Sequence, residues 1–145
     1  MVGAYNGQEL RQFIRGQNMA EFPEWIQDRA LLVTFFGTGF DLPVLRRAFQ
    51  MEFPQLHVDL CFLLKRLGYS GGLKRVEEEI GVRRPEHVAG LSGWDAVRLW
   101  WEWRRGSRSA LQILLDYNAQ DVRNLERLLD FAYPRIQERT LSGPE

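Results

Sequence analysis

Cysteine is nearly absent. Cys61 stands alone in 145 residues, which excludes an intramolecular disulfide and a cysteine-based zinc centre. Two histidines, His57 and His87, are too few for a histidine cluster. Charge of one sign is not in excess: 19 basic and 19 acidic residues leave a formal net charge of zero. No global positive field therefore draws in a polyanion. That argues against a general nucleic-acid binder and leaves room for a local basic groove. Lys65 and Lys74 are the only lysines, so arginine carries nearly all the positive charge. Its planar fork suits phosphate, although a codon bias accounts for the same skew more simply. No apolar run approaches the ~20 residues of a membrane-spanning helix, so no membrane role is expected. The start lacks a charged segment followed by an apolar core, so no secretory signal is expected and a cytoplasmic protein is the simplest reading.

The length suits one domain with a real core. A single domain over 1–135 and a flexible tail over 136–145 are expected, with Pro134 at the fraying point. Asn6-Gly7 lies between two short apolar runs, Val2 to Tyr5 and Leu10 to Ile14. That dipeptide predicts a β-hairpin with a type I′ turn. A short helix is expected around Met19 to Gln27, limited by Pro23. The continuous apolar run Ala30 to Phe36 reads as a strand buried on both faces. A helix over Leu42 to Phe49 follows, with Pro43 in its first turn. Leu56 to Leu60 reads as a short strand and Cys61 to Leu67 as a helix. Leu73 to Ile80 reads as a helix closed by Gly81. Ser92 and Asp95 form a variant capping box for a helix over Trp94 to Arg105. Within it Val97, Trp100 and Trp101 recur at core spacing, while Trp103 points elsewhere. Two further helical runs, Ala110 to Leu115 and Tyr117 to Ala132, complete the chain. Early strands followed by helices fit an α/β layered domain.

The chemistry concentrates in Tyr117-Asn118-Ala119-Gln120-Asp121. Positions i and i+4 share a helix face, so a phenol and a carboxylate address one small volume. A second carboxylate, Asp41, ends the Gly-rich turn Gly37-Thr38-Gly39-Phe40. Taken alone, Asp41 reads as an N-cap; the distant Tyr-x-x-x-Asp shifts the balance toward a shared divalent-metal site. Asp59, Glu77, Glu78 and Asp116 are further acids the fold could bring near. Asp59 also reads as a cap for the helix after it, and Glu77 to Glu79 as a solvated helix face. Arg46-Arg47 lies one helical turn beyond Asp41, within reach of a phosphate. Arg104-Arg105 and Arg108 beside Trp103 form the best basic patch with an aromatic. With no net basic excess, ordinary surface charge explains each cluster at least as well.

These motifs, in this order, resemble the DEDDy 3′–5′ exonucleases of the ribonuclease-H-like fold, and most of all the bacterial YprB ribonuclease-H-like group. His57-Val58-Asp59-Leu60, Gly72 to Glu77, Ile80 to Arg84 and Gly93 to Trp100 follow the same order and spacing. The resemblance spans Leu31 to Leu129. It implies an α/β mixed sheet flanked by helices and metal-dependent 3′–5′ cleavage of DNA or RNA, at single-stranded ends. It implies Mg2+ or Mn2+ as cofactor, held by Asp41 and Asp121, with Tyr117 orienting the attacking water. Phe40, Arg46 and Arg47 are the nucleic-acid-binding residues it suggests. The chain departs from the family in two ways. No Asp-x-Glu precedes Val2, so the strand that carries two of the four metal carboxylates is missing. Phe36 stands where the family has asparagine. An incomplete site is therefore expected, with poor nuclease activity. The alternative is a catalytically inactive relative that binds nucleic acid or protein; a third reading is a small α/β domain with capping aspartates and no site. A central strand's absence also leaves open edges, which predicts either a homodimer or direct pairing of the two flanking strands.

Overall fold

The hairpin forms, but with a different turn. The structure, a computed structural model, describes residues 1–142. Strands β1 (Val2–Tyr5) and β2 (Leu10–Phe13) pair antiparallel, with Val2 opposite Phe13 and Tyr5 opposite Leu10. Asn6 Oδ1 accepts hydrogen bonds from the N–H groups of Gln8 and Glu9 at 3.0 and 2.8 Å. This Asx arrangement closes a longer loop than a type I′ turn. Gly7 takes a left-handed backbone, φ 91°, whereas Asn6 does not.

Strands β3 (Leu31–Thr34) and β4 (Leu56–Asp59) pair parallel, with Leu31 opposite Leu56 and Thr34 opposite Asp59. Their crossover carries helix α2 (Asp41–Phe49). A 3-10 turn (Met19–Glu21) and α1 (Phe22–Gln27) lie between the two strand pairs. Pro23 sits in the first turn of α1 and so starts that helix instead of limiting it. The described residues hold two separate two-stranded sheets, β1-β2 and β3-β4. The α/β architecture with a small helix-flanked sheet is thus present, as two separate strand pairs. The flanking strands β1 and β3 do not close up to pair directly. For the same reason β3 is not buried on both faces: Leu31 is 45% exposed and its neighbours are half-buried.

Helices α3 (Leu60–Arg66), α4 (Leu73–Ile80), α5 (Glu86–Ala89), α6 (Gly93–Arg104) and α7 (Arg108–Leu141) complete the fold. Gly81 closes α4 at φ 90°, and Ser92 with Asp95 forms the capping box of α6. The two final helical runs are one helix of 34 residues, with Pro134 inside it. Leu128 and Ala132 are fully buried just before that proline, and Arg139 beyond it donates to the Arg66 carbonyl. Packing on both sides holds the helix across the one missing N–H. Residues 136–141, expected as tail, are its last turns; Gly143 to Glu145 lie outside the described residues.

Three apolar clusters make the core. The first joins Phe13, Phe22, Ile26, Leu42 and Phe53 beneath the hairpin, with Trp25 packed on Phe13 at 5.8 Å between ring centroids. The second joins Leu60, Leu64, Val76, Leu128 and Ala132 between α3, α4 and α7. The third sits under α6 and corrects the tryptophan reading. Leu99 is its centre, with Trp100 and Trp103 packed edge to face at 4.9 Å. Val97 and Trp101 are 49% and 56% exposed. The buried stripe runs through Ala96, Leu99, Trp100 and Trp103, which is the i, i+3, i+4, i+7 spacing one residue out of phase with the expected set.

Candidate functional site

Asp41 reaches its position through the turn that follows β3. Phe36 opens that turn in the left-handed region at φ 59°. Asp59, at the end of β4, clamps it. Its carboxylate accepts from the Phe36 N–H at 2.7 Å and the Thr38 N–H at 3.0 Å, and caps α3 through the Cys61 N–H at 3.2 Å. The two glycines are needed for space. A Cβ on Gly37 would lie 2.3 Å from Thr34 Oγ1, and one on Gly39 would lie 2.5 Å from the Phe36 ring. Asp41 is then the first residue of α2, and Phe40 is the N-cap, with no side-chain cap bond. The Asp41 carboxylate is therefore not spent on capping.

Asp121 comes from the middle of α7. Asp41 and Asp121 line one cleft of about 690 Å³ between the hairpin and β3, together with Phe40 and Val44. The Asp41 side chain is open on one side, yet the cleft walls push its carboxyl pKa up; the charge of Asp59 adds to this and a backbone N–H opposes it. Burial likewise pushes the Asp121 carboxyl up, against the pull of Arg84.

Arg84 is the residue the sequence reading missed. Its side chain is 4% exposed. It makes a fork on Glu77, Nε to Oε2 at 2.6 Å and Nη2 to Oε1 at 2.7 Å. Its Nη1 lies 2.7 Å from Asp121 Oδ1, a close ion pair without the alignment of a hydrogen bond. Burial works against the guanidinium charge, but the two carboxylates outweigh it and raise its pKa. Asn124 donates from Nδ2 to Glu77 Oε1 at 3.1 Å. Glu77 is thus 1% exposed and not part of a solvated face; only Glu78 and Glu79 are. The signal was present in the helix pattern. Leu73, Val76 and Ile80 mark the inner face of α4, and position 77 falls on that face. An acid there requires a buried partner.

Tyr117, one turn before Asp121, does not line the cleft. Its ring lies under Lys74 Nζ at 5.1 Å and the Arg84 guanidinium at 5.5 Å. Burial, then the nearby Asp121 charge, raises the phenol pKa, so it stays a hydrogen-bond donor. Burial and Arg84 lower the Lys74 pKa. Phe40 stands at the cleft with 64% exposure. Arg46 and Arg47 do not line it, and Arg46 pairs with Glu52 at 3.2 Å. Asp116 faces His87 at 3.3 Å, away from Asp121.

A two-ion phosphodiester centre needs several carboxylates around cations roughly 4 Å apart. Asp41, Asp121 and Glu126 are the acids in the cleft lining, and Arg84 occupies one oxygen of Asp121. No group of three or more His, Cys, Asp or Glu side chains that could hold a metal ion occurs among the described residues. The donor set does not fit a two-metal centre.

A family model described as the RNase_H superfamily matches residues 2–133. The chain belongs to the RNase H superfamily, whose fold and match make it a nuclease-like domain that acts on nucleic acid. No curated protein and no solved structure matches it. No helix among the described residues is long and apolar enough to cross a membrane.

Proposed function

We propose that this chain is a 3′–5′ exonuclease-like domain of the DEDDy type, similar to the YprB group, that engages single-stranded DNA or RNA ends with a cation site it only half supplies. The observation that supports this reading is that Asp41 and Asp121, from distant elements, both line one cleft of an RNase H superfamily chain. Both carboxylates are desolvated, so a Mg2+ or Mn2+ ion would meet anions poorly served by water. Phe40 at the rim offers a face on which a terminal base stacks. With two acids instead of four, the chain by itself binds ends and cleaves them poorly.

The test uses labelled single-stranded DNA and RNA oligonucleotides with Mg2+ or Mn2+. Saturable binding is expected, weakened by Phe40→Ala, with digestion no faster than in Asp121→Asn. Absence of binding to either nucleic acid overturns the reading. Rapid digestion abolished by Asp121→Asn shows instead a complete site. A second reading, a non-catalytic binding module, is favoured by one observation: the Arg84 guanidinium already neutralises Asp121.

A further inference from the structure

We propose that the outer face of α6 is a docking site for an acidic, amphipathic helix of another protein. The site lies apart from the nuclease-like cleft, since no residue of α6 lines that cleft. It adds a protein partner to the nucleic-acid reading and does not rest on cleavage.

Helix α6 is apolar on two faces. Its inner face, Ala96, Leu99, Trp100 and Trp103, packs on Ala110, Ile113 and Leu114 of α7. Trp94, Val97 and Trp101 recur at i, i+3 and i+7 on the outer face. Trp94 is 84% exposed, and Val97 and Trp101 are about half exposed. None of the three belongs to a core cluster or an aromatic pair among the described residues. One apolar stripe is enough to seat a surface helix. A second, continuous stripe with two indoles in water is the mark of an interaction surface.

The charges around the stripe select the partner. On one flank Arg98 is held by Glu102 at 2.8 Å and Asp95 at 3.3 Å. Beyond Trp101 stand Arg104, Arg105 and Arg108, all exposed. None of these three is in an ion pair among the described residues. The face is therefore apolar at its start and cationic at its finish. A single-stranded nucleic acid would carry phosphates past Asp95 and Glu102, and would meet free cations at one end only. A second copy laid face to face offers no row of carboxylates, because Asp95 and Glu102 are already paired. A segment with apolar anchors at one end and carboxylates at the other complements both halves.

The spacing favours a helix as that segment. Trp94 and Trp101 are seven residues apart, about 10.5 Å along the axis. A helix laid alongside repeats that distance with its own i, i+3 and i+7 residues. The two indoles offer ~500 Å² at most. That suits one docked helix and falls short of the ~800 Å² per partner of a standard interface.

The probes are two fluorescein-labelled peptides with leucines at i, i+3 and i+7. One carries a run of glutamates after the leucines and the other before them, because two helices pack in either direction. Control peptides have glutamine in place of glutamate, and an oligothymidylate is added as competitor. One acidic peptide is expected to bind the full chain. Replacing both Trp94→Ala and Trp101→Ala is expected to weaken it at least about tenfold. Arg104→Gln with Arg105→Gln, or the glutamine peptide, is expected to weaken it about fivefold. The four positions are exposed, so the variants keep the fold, which circular dichroism checks. No binding by either acidic peptide, equal binding of the glutamine peptides, or full binding by the double tryptophan variant overturns the proposal. Competition by oligothymidylate for the same tryptophans overturns it in favour of nucleic acid. A concentration-dependent dimer lost in Trp101→Ala overturns it in favour of a second copy. None of these readouts uses the cleft, so failure of the nuclease-like reading leaves the inference standing.

Discussion

Phe36 is the most strained residue near the site. A bulky side chain in the left-handed region costs roughly 1–2 kcal/mol, whereas asparagine and glycine tolerate it. Its ring gains back a contact with Phe62 at 6.2 Å, but the side chain stays 48% exposed. Phe36→Asn is therefore expected to stabilise the chain by about 0.5–1 kcal/mol in urea denaturation. The buried fork is harder to alter. Arg84→Ala leaves Glu77 and Asp121 without their counter-ion, a loss of about 3–5 kcal/mol. Pairing Arg84→Met with Glu77→Gln should recover much of that, and chemical denaturation of the single and double variants measures it. Asp41 gives a pH signature. Its carboxyl pKa is raised in the fold, so folding favours the protonated form. The associated stability is full below the unfolded value near ~3.9 and is lost as pH rises through the folded value. Asp41→Asn should accordingly be more stable than the parent near pH 7 and equal to it near pH 3, as thermal melts across that range would show. At this scale the spacing of Tyr117 and Asp121 was only half informative: Asp121 lines the cleft, whereas the Tyr117 ring lies outside it against Lys74 and Arg84. The sequence read badly at Glu77, whose charge hid a helical phase that only its apolar neighbours display, and at Arg84, which lies in the loop after α4 where no periodicity marks a buried residue.

Helix α7 organises the other elements. β1 runs beside it in the same direction: a Cβ on Gly3 would lie 2.2 Å from Asn118 Oδ1, and one on Gly7 would lie 3.2 Å from Glu126 Oε1. Gln12 fastens β2 to the same stretch, donating to the Leu115 carbonyl at 2.8 Å and Asn118 Oδ1 at 3.0 Å. Gly3→Ala should push the hairpin off α7 and destabilise by about 1–3 kcal/mol. In hydrogen exchange, that loss should be concentrated in β1 and β2. Most elements were legible because each rests on a local pattern: the apolar phase of α4, the cap of α6, the glycine after Ile80. The hairpin turn and the run past Pro134 were not. Both are decided by partners remote from the turn or the proline, or by a side chain competing with the backbone, and neither has a fixed sequence signature.

At the scale of the whole molecule, the three clusters are not equally sealed. Leu60, Leu64, Leu128 and Ala132 are fully buried, while β1 and β3 leave edges open. Amides around the second cluster should exchange slowest and those of β1 and β3 fastest, with an occupant of the cleft removing the difference. The split sheet was expected only through the resemblance to a family with a central first strand. Composition and periodicity report which residues are apolar, not which strand lies beside which.

Trp25 turns this split into an optical signal. It is the one tryptophan outside α6, it lines the cleft, and its ring carries the Arg29 guanidinium at 4.4 Å. With the four indoles of α6 replaced by phenylalanine, the remaining tryptophan emission would come from the cleft wall alone. Water in the cleft would shift that emission to the red, and an occupant that displaces this water would shift it to the blue.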